Sequence, residues 1–479
     1  MNIHAEMLID GFFIGGPCDQ AVGKVVVRAP FDGKIVGTAA EGGWSELNTC
    51  LNAADDAFKE WRTSPRHQRQ KLLREIARLV RERSEELSKI LTLEVGKPIS
   101  ASRGEVARLA LTFDYAADAL TSYGMEAIPL DADPRGAGHR CIVERFPLGV
   151  VFCIVPYNWP FNLAAQKIAP ALATGNTVVV KPSPLAPIST LSLLRIIHEA
   201  GCPPGVVNGW NGHHTLAQRA LTDPRVQMLS FTGSGAVGWS LKALIPEKRV
   251  TLELGGDASA VVCADADLDW AAKRIVAGGF GYAGQVCISI QHVLADRAVY
   301  DDVRARLIRQ TLDCPTGDPM RENTVCGPLI SSEAADKVMA MIEDAVDGGA
   351  TVLAGGERNR TVVAPTLLEG VPETARIRCE EVFGPVITLA PFETLDEAVA
   401  QVNASQFGIH TGVFTHDLRI AERMFRELEV GGVIVNDFPT LRFDNMPYGG
   451  VKASGFGREG VRYAMDEMTE PKTLVVRAL

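Results

Sequence analysis

The first strong pattern along the chain is that of a helix with one apolar face. Leu72, Leu73, Ile76, Leu79 and Val80 follow the spacing of one helical face, and arginine and glutamate fill many of the positions between them. The pattern predicts an amphipathic helix that packs its apolar face against the protein interior.

Two further helices are expected downstream. The first begins near Ser84, places Glu85 and Glu86 in its first turn, where acidic side chains suit the helix dipole, and ends at Gly96. The next is expected over residues 104–120. None of these helices carries a pattern of catalytic residues, so they are interpreted as scaffold.

The centre of the chain changes to the pattern of a buried sheet. Residues 149–155 form a continuous apolar run, typical of a strand covered on both faces, and 176–180 form the next strand. The helix-compatible residues 161–173 lie between them, so the segment predicts a βαβ unit and a parallel sheet. Ligands of such sheets bind beyond the carboxyl ends of the strands, where Asn158 and Lys181 stand.

Length and charge narrow the class of protein. With 479 residues, of which 46% are hydrophobic, two or three globular domains are expected. The formal charge of −10 and the lack of a basic run disfavour a nucleic-acid partner. No run of eighteen apolar residues exists, so no membrane partner is expected, and residues 1–15 do not resemble a secretory signal.

The cysteines and histidines indicate neither disulfides nor a metal site. Ten cysteines are scattered without paired spacing, which predicts reduced thiols and a cytoplasmic protein. The nine histidines show no spacing typical of metal ligands, so no metal is expected.

One cysteine lies in an unusual setting. Residues 277–289 read Ala-Gly-Gly-Phe-Gly-Tyr-Ala-Gly-Gln-Val-Cys-Ile-Ser, and their four glycines suit a backbone that approaches another group closely. Cys287 at the end of this stretch is a candidate nucleophile. A buried cysteine that acts as a small hydrophobic residue is the alternative.

Two upstream residues favour the catalytic interpretation. Glu253 lies between leucines and before two glycines, where desolvation raises a carboxyl pKa towards that of a general base. Asn158 follows a predicted strand and offers an amide donor to a developing oxyanion. With Cys287 they form a set of oxyanion donor, base and nucleophile.

This set, in this chain order, resembles the aldehyde dehydrogenase superfamily, and the resemblance covers nearly the whole chain. The C-terminal loop is most similar to the branch of lactaldehyde and phosphonoacetaldehyde dehydrogenases. Each further motif is weak alone, but their collinear order is specific: Glu94-Val95-Gly96-Lys97-Pro98, Lys181-Pro182-Ser183, Phe231-Thr232-Gly233-Ser234, Glu380-Glu381-Val382-Phe383-Gly384-Pro385 and Pro447-Tyr448-Gly449-Gly450.

The resemblance implies the reaction. An aldehyde is oxidised to its carboxylic acid with NAD or NADP, through a thiohemiacetal and then a thioester on Cys287, and Glu253 activates the water that hydrolyses the thioester. The presence of Glu253 favours the non-acylating kind. A cysteine esterase that needs no cofactor, or a non-catalytic protein that retains the fold, are the alternatives.

The resemblance also implies where the cofactor binds. Gly233, Gly235 and Gly238 complete a Gly-x-Gly-x-x-Gly pattern, which is weak evidence by itself. Pro184 stands where many NAD-preferring relatives carry an acid, so use of NADP alongside NAD is expected. The candidate cofactor residues are Lys181, Ser183, Gly233, Ser234, Gly238, Leu254, Glu381 and Phe383.

Two residues are candidates for substrate contact. Tyr157 precedes the oxyanion donor, and Arg442 lies between Leu441 and Phe443, an unusual place for a solvated charge. Arg442 could bind a carboxylate, sulfonate or phosphonate on the aldehyde. The alternative, slightly favoured, is an ion pair with Asp444 or Asp437 that shapes the loop.

The expected fold is α/β, with a Rossmann-like parallel-sheet cofactor domain, an α/β catalytic domain and a small β oligomerisation element. Residues 1–124 and 147–256 are assigned to NAD(P) binding, and 257–460 to catalysis. Residues 125–146 and 461–479 are assigned to the oligomerisation element of a homodimer or homotetramer. By resemblance, the 125–146 hairpin would pair with the C-terminal strand of a partner subunit.

Overall fold

The fold is known from a computed structural model that describes residues 3–15 and 23–477. Within these ranges the helices, in chain order, are α1 (Trp44–Trp61), α2 (Arg66–Glu82), α3 (Ser84–Val95), α4 (Ile99–Ser122), α5 (Pro160–Thr174), α6 (Pro187–Glu199), α7 (His214–Leu221), α8 (Gly235–Leu244), α9 (Leu268–Phe280), α10 (Tyr300–Leu312), α11 (Ser332–Asp347), α12 (Arg376–Cys379), α13 (Leu395–Asn403), α14 (Leu418–Glu427) and α15 (Val461–Glu467).

The strands alternate with these helices through the middle of the chain. In the described residues they are β1 (Ile3–Ala5), β2 (Met7–Ile9), β3 (Phe12–Ile14), β4 (Gly23–Arg28), β5 (Ile35–Glu41), β6 (Glu126–Ile128), β7 (His139–Pro147), β8 (Val150–Ile154), β9 (Thr177–Lys181), β10 (Val207–Gly209), β11 (Val226–Thr232), β12 (Arg249–Glu253), β13 (Ser259–Val262), β14 (His292–Asp296), β15 (Thr351–Ala354), β16 (Arg358–Asn359), β17 (Val362–Val363), β18 (Thr366–Glu369), β19 (Val386–Phe392), β20 (His410–Phe414), β21 (Gly432–Val435), β22 (Gly455–Phe456) and β23 (Thr469–Arg477).

The largest sheet has eight strands in the order β22-β12-β11-β8-β9-β10-β2-β3. Its central strands, β12 to β10, are parallel and buried between helices on both faces. The predicted βαβ unit is confirmed as β8, α5 and β9. The expectation of a Rossmann-like sheet is therefore confirmed, and Lys181 is the last residue of β9.

A second sheet of seven strands has the order β15-β18-β19-β14-β13-β20-β21. All of its neighbours pair in parallel except β15 with β18. The short strand β22 comes from the C-terminal loop and joins the first sheet, antiparallel to β12 at Leu252 and Glu253. This pairing lays the C-terminal loop over the end of the strand that carries Glu253.

The small β element differs from expectation in its pairing. β23 pairs with β7 of the same chain over nine residues, from Thr469 opposite Pro147 to Arg477 opposite His139. The expectation that the hairpin pairs with a partner's C-terminal strand is therefore wrong. The opposite edge of β23 has no neighbouring strand among the described residues, and Leu474 and Val475 on this strand are exposed.

Two buried carboxylates join the helical layer to the first sheet. Glu94, in α3, accepts hydrogen bonds from the backbone amides of Ile188 and Ser189 at 2.6 and 2.7 Å, at the start of α6. Glu105, in α4, accepts from the amides of Phe161 and Asn162 at 3.0 and 3.1 Å, at the start of α5. Each carboxylate satisfies amides that a helix N-terminus leaves unpaired.

The predicted helices are confirmed with one shifted boundary. α2 contains the predicted apolar face, and α3 ends at Val95 and is capped by Gly96, whose φ of +71° is left-handed. The third helix, expected from residue 104, begins at Ile99, directly after Pro98. Within the described ranges, none of the helices has the length and apolar character that crossing a bilayer requires.

Candidate active site

A strained turn carries Cys287. Tyr282 and Ala283 have φ of +52° and +54°, a conformation that side chains with a Cβ rarely adopt, and Gly284 follows at +68°. A Cβ at Gly284 would lie 2.1 Å from the carbonyl oxygen of Gly384, so glycine is required. The predicted close backbone approach therefore occurs here, immediately before the candidate nucleophile.

Cys287 lies in the wall between two cavities. One has a volume of about 680 Å³ and lies beyond the carboxyl ends of the first sheet's strands. The other, of about 540 Å³, lies between α4, α5 and the C-terminal loop. A group that reacts with molecules in both cavities has to occupy this wall.

The larger cavity gathers most of the candidate cofactor residues. Gly238 differs: it lies in α8, and a Cβ there would be 2.4 Å from Leu254 Cδ2, so its glycine leaves room for Leu254 to pack. Gly238 does not itself line this cavity, and its contact with a cofactor stays a prediction. The candidates that do line the cavity are Lys181, Ser183, Gly233, Ser234, Leu254, Glu381 and Phe383.

These residues have the chemistry that a dinucleotide needs. Lys181 offers a cation, and burial lowers its pKa to about 8. Glu381 offers a carboxylate for hydroxyl groups; burial raises its pKa to about 7, and the amide of Gly256 donates to it at 3.2 Å. Ser234 precedes α8, whose N-terminal amides suit a pyrophosphate. The donor set fits NAD or NADP.

Asn158 lines the larger cavity, as Cys287 does. It stands between β8 and α5, is 5% exposed, and donates from Nδ2 to the backbone carbonyl of Gln285 at 2.9 Å. An amide nitrogen has a second hydrogen to donate. The amide thus bonds the turn that carries Cys287 and keeps a second donor for an oxyanion.

Glu253 is a buried acid without a hydrogen-bond partner in the described part of the chain. It ends β12, is 3% exposed, and both carboxylate oxygens lack a partner. Burial, with the nearby charge of Glu459, raises its pKa well above the usual value. A Cβ at Gly449 would lie 3.0 Å from Glu253 Oε1, so the C-terminal loop closes over this carboxylate.

The smaller cavity is mostly apolar but is lined by two arginines. Trp159 and Phe438 contribute aromatic surface, while Arg108 and Arg442 contribute guanidinium groups. Tyr157 does not line this cavity. It lines the larger one, with its ring edge-on to Phe383 at 6.1 Å between centroids. The geometry therefore does not favour the predicted contact of Tyr157 with the substrate.

Arg442 pairs with one of the two expected acids, Asp444, and more closely with an acid that was not expected, Glu459. Its Nη2 lies 3.2 Å from Glu459 Oε2, and its Nε lies 3.8 Å from Asp444 Oδ1. Asp437 instead pairs with Arg274 at 2.5 Å, so an Arg442–Asp437 pair is wrong. The main partner, Glu459, was not foreseen.

Glu459 also binds a second buried cation. Lys167 Nζ lies 2.8 Å from Glu459 Oε1, and both side chains are almost fully buried. Burial opposes ionisation, but Lys167 and Arg442 hold the pKa of Glu459 below its usual value. The two cations and the one carboxylate leave this cluster, Lys167–Glu459–Arg442, with a net positive charge.

Several site residues were missed by sequence reasoning. Tyr448 lies 2.9 Å from Cys287 Sγ through its hydroxyl oxygen, although the two residues are 161 positions apart. Arg108 reaches the smaller cavity from a helix interpreted as scaffold. The Gln285 side chain accepts from the amide of Ile330 at 2.9 Å and so fixes the turn before Cys287. Of these three residues, only Tyr448 and Gln285 lie within sequence motifs that pointed to the site.

The model of the Aldehyde dehydrogenase family matches residues 18–474. The chain belongs to the aldehyde dehydrogenase family. The 3-sulfolactaldehyde dehydrogenase of Priestia aryabhattai is 37% identical over 467 residues, which are 97% of this chain and 98% of the relative. NAD(P)-dependent oxidation of an aldehyde is accordingly the activity of this enzyme, as predicted, and neither alternative is supported.

Solved structures of aldehyde dehydrogenases share its fold. Aldehyde dehydrogenase 21 from Physcomitrella patens, in complex with the reaction product succinate, is 36% identical with a TM-score of 0.96, and the match covers 100% of this chain and 99% of that one. An NADP-dependent glyceraldehyde-3-phosphate dehydrogenase from Bacillus halodurans, complexed with NADP, is 33% identical with a TM-score of 0.95, over 99% and 100% of the chains. The predicted α/β fold and cofactor class are confirmed.

Proposed function

We propose that this aldehyde dehydrogenase oxidises an aldehyde that carries an anionic group, with Cys287 as nucleophile, Asn158 as oxyanion donor and Glu253 as base. The observation that carries the proposal is the position of Cys287 in the wall between the two cavities. One cavity has the donor set of a dinucleotide site. The other is apolar and is lined by two arginines.

The chemistry begins with the addition of the Cys287 thiolate to the aldehyde carbon. The carbonyl π electrons move to oxygen, and Asn158 Nδ2 and the Cys287 amide donate to the oxyanion, a contribution of about 3–4 kcal/mol per donor in a comparable site. NAD or NADP, held by the residues of the larger cavity, would supply the hydride acceptor. What remains on Cys287 is a thioester.

Glu253 completes the reaction. Its carboxylate removes a proton from water, the hydroxyl adds to the thioester carbon, and the carbon–sulfur bond breaks to give the acid and the Cys287 thiolate. A base has to be unprotonated to act. Burial raises the pKa of Glu253 well above its usual value, so its carboxylate is a stronger base towards water than an exposed glutamate.

Arg108 supports an anionic substrate. It lines the smaller cavity and is 26% exposed in its side chain, and it forks onto Asp444 at 2.6 and 3.2 Å. Arg442 also lines the cavity and is paired with Glu459, but its side chain is only 6% exposed, so Arg108 is the more accessible of the two paired arginines. Three similar proteins have sulfolactaldehyde, succinate or glyceraldehyde 3-phosphate in their names or as a bound product, and each of these compounds carries an anionic group.

NADP is proposed as a cofactor beside NAD. Pro184 lines the larger cavity where an acid would repel a 2′-phosphate, and Lys181 and Ser183 line the same cavity. These two side chains can donate to a phosphate.

We further propose a cytoplasmic homo-oligomer. The exposed apolar side chains of β23 suit a second copy, because an open strand edge with apolar residues favours association. The division into residues 1–124 with 147–256, 257–460, and 125–146 with 461–479 also stays a proposal. β22, within the second of these segments, joins the first sheet.

A two-variant experiment tests the assigned roles. Cys287→Ala is expected to abolish aldehyde oxidation, whereas Glu253→Gln forms about one equivalent of reduced cofactor and then stalls, because only hydrolysis needs the base. Cys379→Ser, which changes an exposed cysteine outside both cavities, is the control and keeps full turnover. Undiminished steady turnover by Glu253→Gln would remove Glu253 from the mechanism.

A further inference from the structure

The nucleophile has a partner outside the set of Asn158 and Glu253. The hydroxyl oxygen of Tyr448 lies 2.9 Å from Cys287 Sγ. Tyr448 is 2% exposed, and Gly449 next to it closes over Glu253. The segment that carries Tyr448 therefore contacts both the nucleophile and the base.

We propose that the Tyr448 hydroxyl donates a hydrogen bond to the ionised sulfur of Cys287 and stabilises it as nucleophile and again as leaving group. This inference rests on the proposed role of Cys287. It adds to the site a donor that is aimed at sulfur rather than at the substrate oxygen.

Chemistry decides the direction of this hydrogen bond. A neutral thiol could donate to the tyrosine oxygen, but an ionised sulfur has no hydrogen, so the tyrosine must then donate. Burial raises the pKa of Tyr448 well above its usual value, so the phenol keeps its proton. Burial raises the pKa of Cys287 to about 12, and the hydrogen bond from Tyr448 opposes that rise.

The charge behind Tyr448 strengthens its hydroxyl as a donor. The guanidinium carbon of Arg442 lies 3.7 Å from the centroid of the Tyr448 ring, the geometry of a cation–π contact. A cation on the ring face withdraws electron density from the phenol. Because Glu459 pairs with Arg442 and Lys167 pairs with Glu459, the guanidinium is held in this position. Arg442 is thus a positioning residue that acts through Tyr448.

The hydrogen bond follows the movement of negative charge. Before attack the charge is on sulfur, and Tyr448 stabilises it. During attack the sulfur lone pair forms the carbon–sulfur bond and the charge moves to the carbonyl oxygen, where Asn158 donates. When the thioester breaks, the bonding electrons return to sulfur and Tyr448 stabilises the departing thiolate, while keeping its own proton throughout.

Alkylation of Cys287 by iodoacetamide measures the thiolate directly. The rate would be followed between pH 6.5 and 9.5 in the cofactor-free full chain, by mass spectrometry of the peptide that contains Cys287. In Tyr448→Phe we expect a rate roughly three- to tenfold lower, because a hydrogen bond to a charged group is lost and the higher nucleophilicity of a more basic thiolate offsets part of the effect. The peptide that contains the exposed Cys379 is the internal control, and its rate stays unchanged.

A second replacement separates hydrogen bonding from packing. A fluorinated tyrosine at position 448 keeps the ring and hydroxyl but is a stronger acid, so it is a better donor. We expect faster alkylation of Cys287 below pH 8. If Tyr448→Phe failed to fold, this replacement alone would decide the question.

The outcomes distinguish this inference from the proposed function. Cys287 alkylation at the wild-type rate or faster in Tyr448→Phe, or an unchanged rate with the fluorinated tyrosine, would overturn the role of Tyr448. Aldehyde oxidation by Cys287→Ala would instead overturn the assignment of the nucleophile. An inactive Cys287→Ala with slower alkylation in Tyr448→Phe supports both.

Discussion

The two cavities that meet at Cys287 hold their charges in different ways. On the cofactor side, desolvation shifts the pKa values of Lys181 and Glu381 to about 8 and about 7. On the substrate side, Arg108 and Arg442 carry guanidinium groups, which stay charged in proteins. The cofactor side therefore responds to pH near neutrality, whereas on the substrate side Arg108 and Arg442 are each paired with a carboxylate, that of Asp444 and that of Glu459.

The largest expected effect is at Asn158, which lines the larger cavity and bonds the turn before Cys287. Asn158→Ala removes the proposed oxyanion donor, which every aldehyde needs whichever cofactor is bound, so the loss should fall on every aldehyde and on both cofactors. We expect kcat to fall by about 10²–10³-fold, the cost of one oxyanion donor. Steady-state rates with two aldehydes and two cofactors measure it. A loss confined to one cofactor would mean that Asn158 acts on cofactor binding rather than on the oxyanion.

The second-largest effect is expected at Arg108 and should distinguish acidic from neutral aldehydes. Arg108→Met should lower kcat/KM for an acidic aldehyde such as succinate semialdehyde by roughly 10–100-fold more than for a neutral aldehyde of equal length, because a charged hydrogen bond is lost. Arg103→Met is the matched control on the same helix, since Arg103 is exposed and pairs with Glu85. Equal losses for both aldehydes would leave Arg108 a structural role.

Arg442→Met provides the contrast within the same cavity. Because Glu459 and the Tyr448 ring hold its guanidinium, its removal should lower the rates with acidic and neutral aldehydes alike. A selective loss with the acidic aldehyde would revive the hypothesis that Arg442 binds the substrate.

The third effect belongs to the cofactor side. Lys181→Met should raise KM for NADP by about tenfold more than KM for NAD, because only NADP has a 2′-phosphate for the cation to bind. Initial rates with each cofactor at saturating aldehyde measure the ratio. Equal changes in the two KM values would place Lys181 at a feature that both cofactors share.

The smallest effect is a pH dependence of cofactor choice. Lys181 is charged below its pKa of about 8 and loses its charge above it. Attraction of a 2′-phosphate is therefore present at pH 7 and is lost as the pH rises, so KM for NADP should increase roughly three- to tenfold between pH 7 and 9. Lys181→Met should show no such NADP-specific rise, which makes it the control.

The fold was predictable where the pattern is local. Continuous apolar runs identified β8 and β9, because a strand that is buried on both faces consists of apolar residues throughout. Helical spacing identified α2, because a helix that is buried on one face repeats its apolar residues at that spacing. The start of α4 was missed because its first turn lacks apolar periodicity, although Pro98 just before Ile99 suits a helix entrance. The pairing of β23 was not predictable, since a strand's sequence does not say which chain it pairs with.

The residues of the site were likewise predictable only where their local sequence is distinctive. Cys287, Glu253 and Asn158 stand beside glycines, leucines or a strand end, so their local setting marked them. The pairs that surround them join distant positions: Arg442 with Glu459, and Tyr448 with Cys287. Such contacts depend on β22 joining the first sheet, and a single sequence does not specify that antiparallel pairing.

The helix caps made by Glu94 and Glu105 have a consequence for how the molecule opens. Each carboxylate sits on one helix and holds the first amides of another, α6 or α5, beside the central strands. Separating either carboxylate from its helix would leave a buried charge or backbone amides without a partner, which costs several kcal/mol. The outer helices and the cofactor sheet should therefore exchange their amide hydrogens as one cooperative unit, with no partly open form in which the sheet persists alone.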